Sequence, residues 1–247
     1  MAVLDGKGAV VTGGSRGIGR AIVQRLAADG ATVVFSYLQN EEAAAQVTAE
    51  VAAAGGTAHA VRSDQGSVAA VARLFGEASG RLPGLDIVVC NASVSMPKPI
   101  DEVTEEDFDR EMAADVKGPF FIIQHAGRML RDGGRIIAIS TMSTRLHHPA
   151  IALYTGAKGA LENFTKVAAL AYGARGITAN IVSPGATLTQ SLYDANPGDD
   201  FSETIEMTAL RRLGQPEDIA AVVAFLAGPD GGWITGQNIA ADGGMLP

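Results

Sequence analysis

The feature that most constrains this chain lies near its start. A β-branched run, Ala9-Val10-Val11, enters Thr12-Gly13-Gly14-Ser15-Arg16-Gly17-Ile18-Gly19 and leaves it as an amphipathic segment. That segment, Arg20 to Asp29, carries Ile22, Val23 and Leu26 on one side and stops at Gly30. The order is strand, glycine loop, helix. Glycines there let backbone amides come close to a phosphate, and the helix N-terminus adds partial positive charge to hold it. A plain tight turn accounts for most isolated glycine clusters. The position straight after a first strand favours a phosphate cradle.

The rest of the chain repeats the alternation. Thr32-Val33-Val34-Phe35 is a second strand, and 43–54 is a helix ending at Gly55-Gly56. Ala58-His59-Ala60-Val61 is a third strand followed by the loop Ser63-Asp64-Gln65, then a helix over 67–78. Ile87-Val88-Val89-Cys90 is a fourth strand, leading to Asn91-Ala92-Ser93. His59 alternates with apolar neighbours and reads as structural. Strands alternating with helices of this length predict an α/β fold: one Rossmann-type doubly wound parallel sheet of about seven strands, with helices on both faces. Ligands of such sheets bind beyond the carboxyl ends of the strands, where Asp64 and Asn91 stand.

Thr104 to Leu130 is predicted as one helix, with Asp101 or Thr104 as N-cap and with Asp115 and Lys117 midway. A fifth strand over 135–141 delivers Ser140 and Thr141, and a helix over about 154–172 follows, rich in small residues. The sixth strand, 177–182, runs into Ser183-Pro184-Gly185. Residues 186–212 hold little regular pattern and suit a substrate lid. A helix over 216–226 and a closing strand over 235–240 complete a single domain spanning 1–247, with no repeat and no linker.

Composition narrows the partners. The net charge is −8, and no basic run exceeds Arg211-Arg212, which argues against nucleic acid or an anionic membrane surface. The hydrophobic fraction of 47% is ample for a large core. Cys90 is the only cysteine, so no intrachain disulfide forms, and its apolar strand suits a small buried thiol. The N-terminus lacks a signal-like apolar stretch and no run reaches membrane-spanning length, so a soluble, cytoplasmic protein is expected.

Two spacings point to chemistry. A dinucleotide fold that prefers NAD places an acid at the end of the second strand to bind the ribose 2′-hydroxyl. This chain has Ser36 and Tyr37 there, with Arg16 in the glycine loop, which favours NADP. Arg16 as a solvated surface charge is the competing reading. The second spacing is Tyr154-Thr155-Gly156-Ala157-Lys158: on a helix, i,i+4 stacks the phenol and the ammonium on one face. An adjacent cation favours the phenolate and would bring a phenol, ordinarily near a pKa of about 10, into a useful range. Alone, such a pair is more often an amphipathic stem and a solvated head.

In combination these motifs resemble the short-chain dehydrogenase/reductase family over nearly the whole chain. They are Thr12-Gly13-x-x-x-Gly17-x-Gly19, Asp64, Cys90-Asn91-Ala92, Tyr154-x-x-x-Lys158, Pro184-Gly185, Gly214-Gln215-Pro216-Glu217-Asp218, Thr235-Gly236-Gln237 and Asp242-Gly243-Gly244. The nearest subgroup is the 3-oxoacyl-carrier-protein reductases and related NADPH-dependent ketone reductases, commonly homotetramers. The resemblance implies that Gly13, Ser15, Arg16, Gly17, Ile18 and Gly19 surround the cofactor phosphates. Asp64 would meet the adenine, and Asn91 and Ala92 would lie along the cofactor body. Pro184, Gly185, Thr187 and Thr189 would face the nicotinamide end. Tyr154 would be the general acid in reduction, and Lys158 would lower its pKa and hold the ribose.

Three positions depart from the family pattern. Thr141 replaces the serine thirteen residues before the tyrosine; its hydroxyl still donates, but its methyl crowds the site. Ser140, one residue earlier, points to the opposite face of a continuing strand. Asp115 stands for an asparagine that anchors a relay water; ionised, it favours a charged Lys158 and cannot donate as the amide does. Cys90-Asn91-Ala92-Ser93 replaces Asn-Asn-Ala-Gly, and Ser93 alters the turn over the cofactor.

The expected function is NADPH-dependent reduction of a ketone: 3-oxoacyl, polyketide-like or a small carbonyl. Two alternatives stand beside it: an alcohol or sugar dehydrogenase working oxidatively, and an impaired NADP-binding scaffold marked by Asp115 and Thr141. The entrance is assigned to Val94-Ser95-Met96-Pro97, Leu146-His147-His148-Pro149 and 188–212. His147 and His148 lack an acidic or cysteine partner at ligand spacing, so no metal is expected. Arg128, Arg131 and Arg145 are candidates for a basic rim facing an acidic carrier protein.

Overall fold

The computed structural model describes residues 2–94, 97–146 and 148–245. Seven parallel strands form one sheet in the order β3-β2-β1-β4-β5-β6-β7. They are β1 Gly8–Val11, β2 Thr32–Tyr37, β3 Thr57–Arg62, β4 Leu85–Cys90, β5 Leu130–Ile139, β6 Thr178–Pro184 and β7 Asn238–Ala241. The order reverses between β1 and β4, which opens a crevice at their carboxyl ends.

Alternation along each strand sends side chains to two cores. From β1, Ala9 and Val11 join Phe35, Ile22 and Leu26 on one face, while Val10 joins Leu74, Phe75 and Ile122 on the other. The first face is covered by α1 (Gly17–Ala28), α2 (Glu41–Ala53) and α9 (Pro216–Ala227). The second is covered by α3 (Val68–Arg81), α5 (Gly118–Met129) and α6 (Ala152–Tyr172). Burial on both faces explains why the central strands read as unbroken apolar runs.

Three departures from the sequence expectation have local causes. The long helix over 104–130 is broken: α4 (Glu105–Met112), capped by Thr104, passes through a π-turn over Ala113–Lys117 before α5. Pro119 has no N–H for the Asp115 carbonyl four residues back, and the Gly118 N–H bonds instead to the Ala113 carbonyl five back. β5 starts five residues earlier than expected, because buried Leu130 pairs with Leu85 across a register shift before Ile87. Finally, the patternless segment over 186–212 contains two six-residue helices, α7 (Gln190–Ala195) and α8 (Ser202–Met207). They are too short to show an apolar period. Phe201, in the left-handed region at φ 60°, is buried against Tyr193 with ring centres 5.5 Å apart.

Candidate active site

The glycine loop is laced to β4. The Thr12 hydroxyl accepts from the Asn91 and Ala92 amides at 3.0 Å each, and the Asn91 side chain donates to the Thr12 and Gly13 carbonyls at 2.9 and 3.1 Å. A Cβ on Gly19 would stand 2.1 Å from the Gly13 carbonyl oxygen, so only glycine fits. α1 begins without a side-chain cap and without an acid in its first turn. Its first amides are therefore available to an anion, as a phosphate cradle requires. Gly17 has φ 52°, and a Cβ there would meet Thr189 at 3.2 Å, so Thr189 faces the loop across the crevice. Exposed Arg16 forms no ion pair among the described residues, and part-buried Ser15 and Ile18 flank it.

Ser36 behaves differently from a rim residue. It is buried, and its hydroxyl accepts the Gly13 amide at 3.1 Å, so it holds the loop from beneath. Tyr37, part-buried at the end of β2, remains at the rim. Asp64 is exposed beyond β3, with one carboxylate oxygen accepting the Gly66 amide at 2.9 Å. Pro184 ends β6, and Gly185 lies where a Cβ would meet Asp242 at 2.8 Å. Buried Thr187 donates its hydroxyl to the Gly185 carbonyl at 2.9 Å, while Thr189 caps α7.

At the same end of the sheet, α6 presents Tyr154 and Lys158 one turn apart. Lys158 is 2% exposed; its Nζ donates to the Ile139 carbonyl at 3.0 Å, lies 3.9 Å from Asp115 Oδ2 and is 5.8 Å from the Tyr154 ring centre. The Thr141 hydroxyl reaches the Tyr154 phenol and favours its ionised form. Ser140 continues the face of Ile136 and Ala138 and donates to Glu162 Oε1 at 2.7 Å, away from the phenol. Thr141→Ala is therefore expected to lower kcat severely and Ser140→Ala mildly. The reverse order in initial-rate assays would move the catalytic hydroxyl to Ser140.

Two sequence departures prove to be one feature. Ser93 donates its hydroxyl to Asp115 Oδ2, and the Val94 amide donates to Oδ1 at 2.9 Å. A serine in place of the usual glycine thus supplies a donor to the carboxylate that replaces the usual amide. Gln65 ties this turn to the cradle, donating to the Ala92 carbonyl at 2.9 Å and the Ala114 carbonyl at 2.7 Å.

The electrostatics correct one expectation. Burial, and then the Asp115 charge, push Tyr154 up to about 12, opposite to the direction a neighbouring ammonium favours. The lysine's own charge is directed at the Ile139 carbonyl and Asp115. Burial also pulls Lys158 below the usual ammonium range, with Asp115 and Glu111 opposing, and raises Asp115 against the pull of Lys158. Glu111 is a site residue that sequence reasoning missed. It is one acid among several in α4, and only the fold shows it turned inward beside Asp115.

The basic rim is also revised. Arg131 sits at the amino end of β5, 3.5 Å from Asp86, and Arg128 closes α5 nearby; both are at the wrong end of the sheet for the crevice. Arg145 follows Thr141 and stays near it. Ser95, Met96 and His147, assigned to the entrance, lie outside the described residues. The His148 ring accepts the Ala150 amide at 3.2 Å.

Known proteins resemble this chain over nearly its whole length. The profile of the enoyl-(acyl carrier protein) reductase family matches residues 13–246. A hydroxynaphthalene reductase-like protein, Arp2, from Metarhizium guizhouense is 43% identical, covering 98% of this chain and 96% of its own length. The angucycline C-6 ketoreductase LanV, solved with bound NADP, is 41% identical with a TM-score of 0.93, covering 99% of this chain and 97% of its own. A short-chain dehydrogenase from Burkholderia cenocepacia J2315, in complex with NADP, is 38% identical with a TM-score of 0.92, covering 98% and 99%. With a family match over residues 13–246 and relatives around 40% identical across nearly the whole chain, the chain belongs to the short-chain dehydrogenase/reductase family.

Proposed function

We propose that the protein is an NADPH-dependent reductase that converts a ketone to a secondary alcohol, with Tyr154 as general acid. The observation that carries this reading is the Tyr154–Lys158 pair on α6, with buried Lys158 Nζ 5.8 Å from the phenol ring centre, at the sheet end that holds the glycine loop. NADP(H), when bound, supplies the hydride for the carbonyl carbon. The loop residues Gly13, Ser15, Arg16, Gly17, Ile18 and Gly19 hold its phosphates, with Asp64, Asn91 and Ala92 along the adenosine half. Thr141 donates to the substrate oxygen and orients it, and Tyr154 gives that oxygen its proton.

A fused-ring polyketide-like ketone is the substrate class favoured. Two relatives carry names of that chemistry, a hydroxynaphthalene reductase-like protein and an angucycline ketoreductase. Residues 186–212 act as the lid, in which half-exposed Tyr193 packs edge-on against buried Phe201. An acidic carrier protein fits poorly with a chain of net charge −8 whose Arg128 and Arg131 face away from the crevice. A homotetramer accords with exposed Phe120, Val167 and Leu170 on α5 and α6.

Arg16 tests the cofactor assignment. Arg16→Ala is expected to raise KM for NADPH by roughly tenfold, the loss of about one charge-assisted hydrogen bond, with little change for NADH. A wild-type protein with higher kcat/KM for NADH than for NADPH would refute the reading of Arg16, Ser36 and Tyr37.

A further inference from the structure

Glu111 is 1% exposed, on the last turn of α4, and both its carboxyl oxygens lack a hydrogen-bond partner among the described residues. It lies four residues before Asp115, which sits in the π-turn that follows α4. The elements packed on α4 are that turn and α6. The charged and titratable groups facing Glu111 are Asp115 from the turn, Lys158 and Tyr154 from α6, and Arg110 from its own helix. Arg110 is itself paired with Asp107 at 3.1 Å.

The site thus holds two carboxyl groups and one buried ammonium. Lys158 and Asp115, 3.9 Å apart, balance each other, and the Ser93 hydroxyl and Val94 amide satisfy the aspartate. Among the described residues no hydrogen-bond donor supports a charge on Glu111. An ionised carboxylate buried without donors is strongly disfavoured and takes up a proton instead.

We infer that Glu111 is a positioning residue for Tyr154 that works in its protonated form. Neutral, it leaves the buried Lys158–Asp115 pair balanced; ionised, it adds a surplus negative charge that holds the phenol's proton back. Burial, and then the Asp115 charge, raise Glu111 from its ordinary 4.5 to about 7, with Lys158 and Arg110 pulling the other way. The charge of Glu111 therefore changes within the working range of most enzymes. It also acts on Tyr154 in the stated direction, raising the phenol further when ionised. The inference rests on Tyr154 being the acid in reduction.

The test compares wild type with Glu111→Gln and Glu111→Met, using NADPH and a fused-ring ketone. Wild-type kcat is expected to fall about tenfold from pH 6 to pH 8, as one group titrates near neutrality. Both variants should lack that fall, with KM for NADPH unchanged. Glu111→Met guards against a misfolded amide, because the oxygens it removes have no partners to lose.

Stability gives a second readout independent of catalysis. A carboxyl raised in the folded state stabilises fully below its unfolded value, and that contribution is lost as pH rises through the folded value. Wild type should therefore lose stability relative to Glu111→Gln between about pH 4.5 and pH 7. Parallel stability and rate profiles for wild type and both variants would overturn the role of Glu111 alone. A wild-type protein that reduces no ketone at any pH would overturn the reaction and the role together.

Discussion

Tyr154→Phe is expected to lower kcat for ketone reduction by about a hundred- to ten-thousand-fold, the usual worth of a general acid, while NADPH still binds. The substitution removes one oxygen and keeps the ring that Lys158 overlies at 5.8 Å, so packing at the start of α6 is preserved. The Thr141 hydroxyl remains, but it can only orient the substrate oxygen, since an alcohol does not release a proton near neutrality. Cofactor binding should survive because the glycine loop is held by Thr12, Asn91 and Ser36, none of which touches the phenol. Fluorescence titration with NADPH and initial rates on the same preparation check both halves. Retained turnover would remove Tyr154 from the mechanism.

Lys158→Met should cost both activity and stability. The ammonium is 2% exposed and lies beside two buried carboxyl groups. Removing one partner of a buried pair leaves the other uncompensated, at a typical cost of about 3–5 kcal/mol. Asp115 then takes up a proton and loses part of its hold on Ser93 and Val94, which shape the turn after β4. Lys158→Met combined with Asp115→Asn should recover much of the stability and none of the activity. Thermal melts of the two single variants and the double variant measure that coupling. A double variant no more stable than Lys158→Met would mean that the 3.9 Å pair carries little energy.

The features legible in the sequence were those set by local chemistry. The glycine loop announced itself because Gly13, Gly17 and Gly19 occupy positions where a side chain would collide or the backbone is left-handed. Strand alternation placed Thr141 and Ser140 on different sides, and the structure separates them, one at Tyr154 and the other at Glu162. Asp115 was correctly set beside Lys158.

What escaped depends on contacts between distant segments. The proton affinity of Tyr154 follows from burial and two acids on other helices, which an i,i+4 spacing does not reveal. Ser36 reads from the sequence as a cofactor contact, and its hydroxyl also accepts the Gly13 amide from beneath the loop, a contact that no local pattern signals. Arg131 reads from the sequence as available to the crevice, but β5 begins at Leu130, which puts that arginine at the far end of the sheet. The π-turn had one local sign, Gly118-Pro119, since proline withholds the amide that an α-helix needs there.

The most direct test of ketone reduction at this site is NADPH consumption by the wild-type protein over a panel of ketones, with product analysis. Fused-ring ketones should be reduced to secondary alcohols with one NADPH oxidised per alcohol formed, and faster with NADPH than with NADH. Tight NADPH binding with no ketone reduced anywhere on the panel would contradict it.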